Sequence, residues 1–217
     1  MAKKILPYRD YSEHDVLNLF SLDVASSDTL TEWVEASNGK WDSGVVVQVK
    51  AGDLPGDLPG EGGLKTSGKL RAYLGSDPSS AHIGFNAYPS NGMTVEPADD
   101  ASAAIGITLR ETLAYDENGE KLLYYKRKLD EAQAVLPGQT VPVLTRGTVT
   151  LTVGTANAAV IDSDLSNVVA GAKLTVGANG VLNIANPASD TVVGSIIAIG
   201  KDSDVDGTSK ALCRINF

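Results

Sequence analysis

The sequence predicts a mainly β protein, an antiparallel β-barrel or sandwich body with an extended N-terminal arm. Three observations carry this. From Val141 onward, short apolar runs recur at intervals of about ten residues, with Asn179-Gly180, Asn186-Pro187 and Asp206-Gly207 between them. Gly is abundant, at 22 residues, and Val, Thr, Ala and Leu dominate the second half, the vocabulary of strands and tight turns. The first 24 residues instead hold a dense apolar and aromatic set with no strand series of their own.

In chain order, residues 1–24 form the expected arm. Leu6 precedes Pro7 and is biased toward extended backbone. Ser12 could cap a single helical turn, with Asp15 near its positive end, and a strand is the alternative. Tyr8, Tyr11, Val16, Leu17, Leu19, Phe20 and Leu22 are the candidate partner-binding residues. Each large apolar side chain left in water forgoes roughly 1.5–3 kcal/mol of burial. The segment must therefore fold back on its own body or dock on a neighbour.

Residues 25–140 read as a β-rich domain with long loops. Trp33 and Trp41 flank the turn dipeptide Asn38-Gly39 and suit core anchors, or an interface anchor. Val45–Val49 is a strand. Residues 52–63 (GDLPGDLPGEGG) carry two Pro-Gly pairs, which excludes a central strand or a helix and leaves a surface loop. Lys69–Leu74, Ile83–Phe85 and Ala104–Leu109 are further strand candidates. Over 120–136, Leu122, Tyr125, Leu129 and Ala132 share a helical face, while Tyr124-Tyr125 after the turn at Asn118-Gly119 suits a hairpin strand; both alternatives stand.

Residues 141–217 are expected to close a small antiparallel barrel, with a boundary near 140. Thr148–Val153 alternates at period two, and Ala172–Val176, Val181–Ile184, Val193–Ile199 and Ala211–Phe217 follow. At 217 residues the chain is long enough to bury roughly 70% of its unfolded surface.

Composition narrows function. Asp and Glu number 27 against 18 Lys and Arg, a net charge of −9, which argues against nucleic acid as partner because phosphate contacts need a positive field. No run approaches the roughly 18 apolar residues of a membrane helix. Lys3 and Lys4 are followed by Pro7, Tyr8, Arg9 and Asp10 rather than an apolar run, against a signal peptide.

Residues suited to catalysis are sparse. His14 and His82 are the only histidines, and neither lies in a nucleophile motif. Gly194–Lys201 mimics a phosphate loop, but five residues separate its glycines and Asp202 follows the lysine, where a carboxylate would repel phosphate. Asp202–Gly207 matches the first half of a Ca²⁺ loop, but Cys213 stands where the bidentate Glu belongs, so a solvated acidic hairpin tip is expected. Cys213, the single cysteine, sits between apolar neighbours and reads as a small buried hydrophobe. No enzyme activity, cofactor or metal is expected.

Three stretches carry a family likeness. ILPYRDYSEHDVLNLFSLD (Ile5–Asp23), AVLPGQTVPVLTRGTVTL (Ala134–Leu151) and ALCRINF (Ala211–Phe217) resemble the head decoration, or cement, proteins of tailed bacteriophages. The resemblance implies a non-enzymatic virion protein on the outer capsid surface, made in the host cytoplasm. It implies the major capsid protein as partner, a homotrimer, and the Tyr8–Leu22 segment as a capsid-gripping arm. Another β-rich virion component, such as a tail or head-fibre protein, or a carbohydrate-binding surface module, is the alternative.

Overall fold

The computed structural model describes residues 5–18, 20–22, 43–49, 94–113, 122–136, 139–154, 159–162, 167–200 and 209–217. In chain order the described strands are β1 (Ile5–Asp10), β2 (Val16–Leu17), β3 (Ser21–Leu22), β4 (Val46–Val49), β5 (Thr94–Pro97), β6 (Ala104–Thr108), β7 (Glu111–Thr112), β8 (Ala134–Val135), β9 (Val143–Leu144), β10 (Arg146–Gly154), β11 (Ile161–Asp162), β12 (Lys173–Val176), β13 (Leu182–Ile184), β14 (Gly194–Gly200) and β15 (Ser209–Asn216). One short helix, α1 (Lys126–Glu131), and three 3-10 turns complete the described elements.

The protein is mainly β with antiparallel sheets, as the turn-punctuated runs predict. The first sheet has the order β1-β10-β11-β13-β12-β14-β15, and β10 also pairs with β15. The nine-residue β10 is its hub. One edge runs antiparallel to β15 from Arg146↔Asn216 to Val153↔Ser209. The other edge takes β1 antiparallel from Thr148 to Leu151 and β11 parallel at Val153 and Gly154. The links through β11 are only one or two residues long. The result is a sheet curled on itself rather than the fully closed barrel wall that was the alternative to a sandwich.

Period-two alternation places the core. Val149, Leu151 and Val153 of β10 and Ala211, Cys213 and Ile215 of β15 are buried, while Thr148, Thr150, Arg214 and Asn216 face outward. The second sheet has the order β2-β9-β6-β4-β5-β3. Its Val46, Ile107 and Leu144 join the inward residues of the first sheet in one cluster. Its Val45, Val47 and Val143 belong to a second cluster, with Phe20, Leu22 and Val135. Covered on both faces, Val45-Val46-Val47 at the start of β4 reads as an unbroken apolar run that ends at half-buried Gln48, because alternation survives only where one face meets water. The layering is sandwich-like.

The β12–β13 hairpin ties the layers together. Its tip residues Asn179 (φ +60) and Gly180 (φ +70) have the two left-handed conformations of a tight hairpin turn. The Asn179 N–H donates to Asp99 Oδ1 at 2.9 Å, and the Gly180 N–H to the Ala98 carbonyl at 2.7 Å. Both acceptors directly follow β5, so a turn of one sheet is pinned to a strand end of the other.

Two points that the sequence leaves open take shape. The boundary near 140 does not divide the core: Val135, Val141 and Val143 lie in one cluster, and Val46 and Ile107 share another with Leu151 and Ile215. Residues 120–136 resolve toward helix, with a 3-10 turn at Leu122–Tyr124, then α1, then β8 parallel to β7. Leu122, 2% exposed, anchors the segment, and Gln133 (φ +52) ends the helix in the left-handed region. The strand candidates Lys69–Leu74 and Ile83–Phe85, the loop 52–63, and Trp33 and Trp41 lie outside the described residues.

Candidate docking surface

The N-terminal segment is extended, as expected, but it is woven into its own subunit. β1 adds to β10, with Ile5 opposite Leu151 and Asp10 opposite Thr148. The 3-10 turn Glu13–Asp15 follows, capped by Ser12, whose hydroxyl accepts from the His14 N–H at 3.3 Å. The Asp15 carbonyl accepts from both the Thr145 N–H (2.8 Å) and the Thr145 hydroxyl (2.9 Å). Val16 then pairs with Leu144 and Leu17 with Val143, while Ser21 and Leu22 run parallel to Thr94 and Val95.

The seven expected partner-binding residues therefore part company. Phe20 (8% exposed) and Leu22 (4%) are buried among Val45, Val47, Val95 and Val143, so as they stand they grip no neighbour. Tyr11 and Val16 are half-buried against the core shared by the sheets, and Leu17 against the other cluster. Leu19 lies outside the described residues. Among the six described residues of this set, Tyr8 alone projects, at 66% exposure, from a strand that pairs on one side with β10. The physical reason is proximity: the partner strands β9, β10 and β5 of its own chain present open edges within reach of an extended segment.

Next to Tyr8, Arg9 Nη2 donates to Gln133 Oε1 at 2.8 Å, joining β1 to the residue that closes α1. Exposed Tyr124 and Tyr125 lie at the start of that helix, and Lys128 Nζ is 5.2 Å from the Tyr125 ring centroid, a cation–π distance.

The outward face of the first sheet was not foreseen as a site. Registers across β1, β10, β15, β14 and β12 align Asp10, Thr148, Arg214, Ser195 and Lys173 in one row, and Arg146 lies one step along, opposite Asn216. Arg146, Arg214 and Lys173 are exposed. Outward positions of TVTLTV and ALCRINF were visible in the sequence, but only register brings them beside Lys173.

His14 is exposed on its turn. Cys213 is fully buried, and desolvation pushes its thiol up to about 12, so it is a neutral packing group at ordinary pH. No group of three or more His, Cys, Asp or Glu side chains converges among the described residues. His82 and Asp202–Gly207 lie outside them. No described helix is long and apolar enough to cross a membrane. The chain matches no protein-family model, no curated protein and no solved structure.

Proposed function

We propose that this chain is a non-enzymatic structural protein that binds the outer surface of a tailed-bacteriophage capsid and stabilises it, with the major capsid protein and further copies of itself as partners. One observation supports the reading above the others. The three segments that resemble head decoration proteins are far apart in sequence, yet they are hydrogen-bonded neighbours: β1 and β15 flank β10 on its two edges, and β2 lies against β9. The likeness thus falls on one structural unit rather than on scattered loops.

In this reading the gripping surface is not a free arm. Docking falls to what the woven segment leaves outside, chiefly Tyr8, an aromatic with a polar tip of the kind suited to protein interfaces. Many weak contacts repeated over a shell would add through avidity. Immunogold labelling of virions purified from the source of this gene tests the reading. Label over the whole head is the expected result. Label confined to the tail, or particles without the chain, overturns it.

A further inference from the structure

A bulge in β14 puts an isoleucine in water. Ile196 pairs with Cys213 and Ala198 with Leu212, so Ile197 is the extra residue of the ladder, and bulges re-aim side chains. Ile197 is 48% exposed, and Ala198 beside it is exposed too. Register extends an outward row from this point. Leu212 is opposite Thr150, and Thr150 faces the irregular stretch of β1 between Ile5 and Arg9, which holds Tyr8. On the far side, the Gly171 N–H donates to the Ile196 carbonyl at 2.7 Å, which holds the turn with Val169, 55% exposed, against β14. The row runs from Tyr8 through Thr150, Leu212, Ala198 and Ile197 toward Val169. It is apolar apart from the hydroxyls of Tyr8 and Thr150.

The next outward row along the strands is charged. It holds Asp10 at its β1 end and Arg214 and Lys173 on β15 and β12, with Arg146 one outward step further. All four are exposed. Three cations against one acid give this flank an excess of positive charge, on a chain whose acids outnumber its bases 27 to 18. Single surface apolar side chains are ordinary, but an aligned set beside a charged flank has the layout of a protein interface, apolar at the centre and polar at the rim. The charge also narrows the occupant. Two copies of this face brought together would each present the same excess of cations, and like charges repel. A complementary patch is apolar where it meets Ile197 and carries carboxylates where it meets Arg214 and Lys173.

We propose that the outward face centred on Ile197 is a docking surface for a foreign protein, one whose matching patch is apolar at its centre and carboxylate-rich along one flank. The inference rests on the capsid-binding reading for the identity of that protein, the coat that the chain stabilises. Tyr8 then acts as one end of a row rather than as a lone anchor. Burial of the row supplies affinity, while Arg214, Lys173 and Arg146 set orientation and encounter rate.

Biolayer interferometry of the full chain over an immobilised glutamate–tyrosine copolymer presents both chemistries in one probe, and polyglutamate presents carboxylates alone. The wild type is expected to bind the copolymer about tenfold more tightly than polyglutamate. Binding should weaken as salt rises from about 0.1 M to about 1 M, where the screening length falls from ~10 to ~3 Å. Ile197→Asn with Val169→Asn should weaken copolymer binding about tenfold and leave polyglutamate binding as it was. Arg214→Gln with Lys173→Gln should weaken both and flatten the salt dependence. Tyr124→Ser, at the start of α1, should change neither. Thermal unfolding checks that each variant folds, and Tyr8→Ser replaces an Ile197 variant that does not. A wild type that ignores the copolymer or binds polyglutamate equally well overturns the proposal, as does an Ile197/Val169 variant that binds like the wild type. The same variant should leave sedimentation velocity of the chain unchanged; loss of a wild-type oligomer in it assigns the row to a second copy and overturns the proposal too. None of these measurements uses a virion, so this inference and the capsid reading fail separately.

Discussion

Replacing Gly180 by Ala should destabilise the protein far more than replacing Gly171 by Ala, although both glycines have positive φ, +70 and +89. The shared part of the effect is backbone strain, about 1–2 kcal/mol for an L-residue in the left-handed region. The difference lies in the surroundings. A Cβ on Gly171 meets nothing within 4 Å. A Cβ on Gly180 would overlap the Val46 carbonyl oxygen and lie 2.5 Å from Val45 Cγ1. The hairpin tip must then lift from β4, straining the bonds from Asn179 to Asp99 and from Gly180 to Ala98. Each such bond is worth about 0.5–1.5 kcal/mol. Together these give about 2–5 kcal/mol for Gly180→Ala against about 1–2 kcal/mol for Gly171→Ala. For a chain of this size each kcal/mol moves Tm by about 2–4 °C, so the two variants should be clearly separated in thermal melts, with urea titration giving the energies. Equal losses in the two variants would refute the claim that this turn clamps the sheets together.

Cys213 should resist aromatic disulfide reagents in the native protein and react at once in denaturant; fast native labelling contradicts its burial. Its raised value adds a pH effect of known sign. The unfolded thiol ionises from about 9 and the folded one only near 12, so its share of stability is whole below pH 9 and declines as pH rises toward 12, a decline that Cys213→Ala should lack. Asp190 is lowered first by the N–H of Asn186, which donates to Oδ2 at 2.8 Å, and then by the Ser189 hydroxyl at 2.7 Å. Its support of the 186–190 turn is present above 3.8 and is lost as pH falls through the lower folded value, so Asp190→Asn should raise amide exchange in this turn at neutral pH and make it indifferent to acid.

The elements legible in the sequence are those with a period to read. The strands around Val149, Leu174, Ile196 and Cys213 lie within two residues of expectation, because several alternating positions each report which side faces the core. The two-residue strands β2, β3, β7, β8, β9 and β11 carry no period, so nothing local marks them. Segment 120–136 was ambiguous because its apolar spacing suits both helix and strand; the burial of Leu122 and the left-handed Gln133 decide it. The apolar density of the first 24 residues was plain, but hydrophobicity is non-directional and does not say whose surface will cover it. The cationic face was illegible for a different reason: Arg146, Lys173 and Arg214 lie far apart in sequence and meet only through strand register.

The woven N-terminus changes what a truncation can show. Had residues 1–24 been a free arm, deleting them would leave a folded body that no longer docks. Instead Ile5 is buried in the core between the sheets, and Phe20 and Leu22 close the far side of the second sheet. Roughly 1.5–3 kcal/mol for each of these three side chains puts the loss at about 5–9 kcal/mol. Whole domains are stable by only about 5–15 kcal/mol. The deletion also bares the edges of β10 and β9 that β1 and β2 cover, and open edges invite aggregation. A chain beginning at residue 25 is therefore expected to lose cooperative unfolding by circular dichroism or to precipitate, and its failure to bind a capsid would say nothing about docking. Tyr8→Ser separates the two roles, since Tyr8 is two-thirds exposed at 66% and its removal leaves the strand paired. That variant should keep its Tm within about 2 °C, as surface changes usually fall within about 0.5 kcal/mol. A stable, cooperatively folding protein without residues 1–24 would show that the strap is dispensable and would return the arm to the role of a detachable grip.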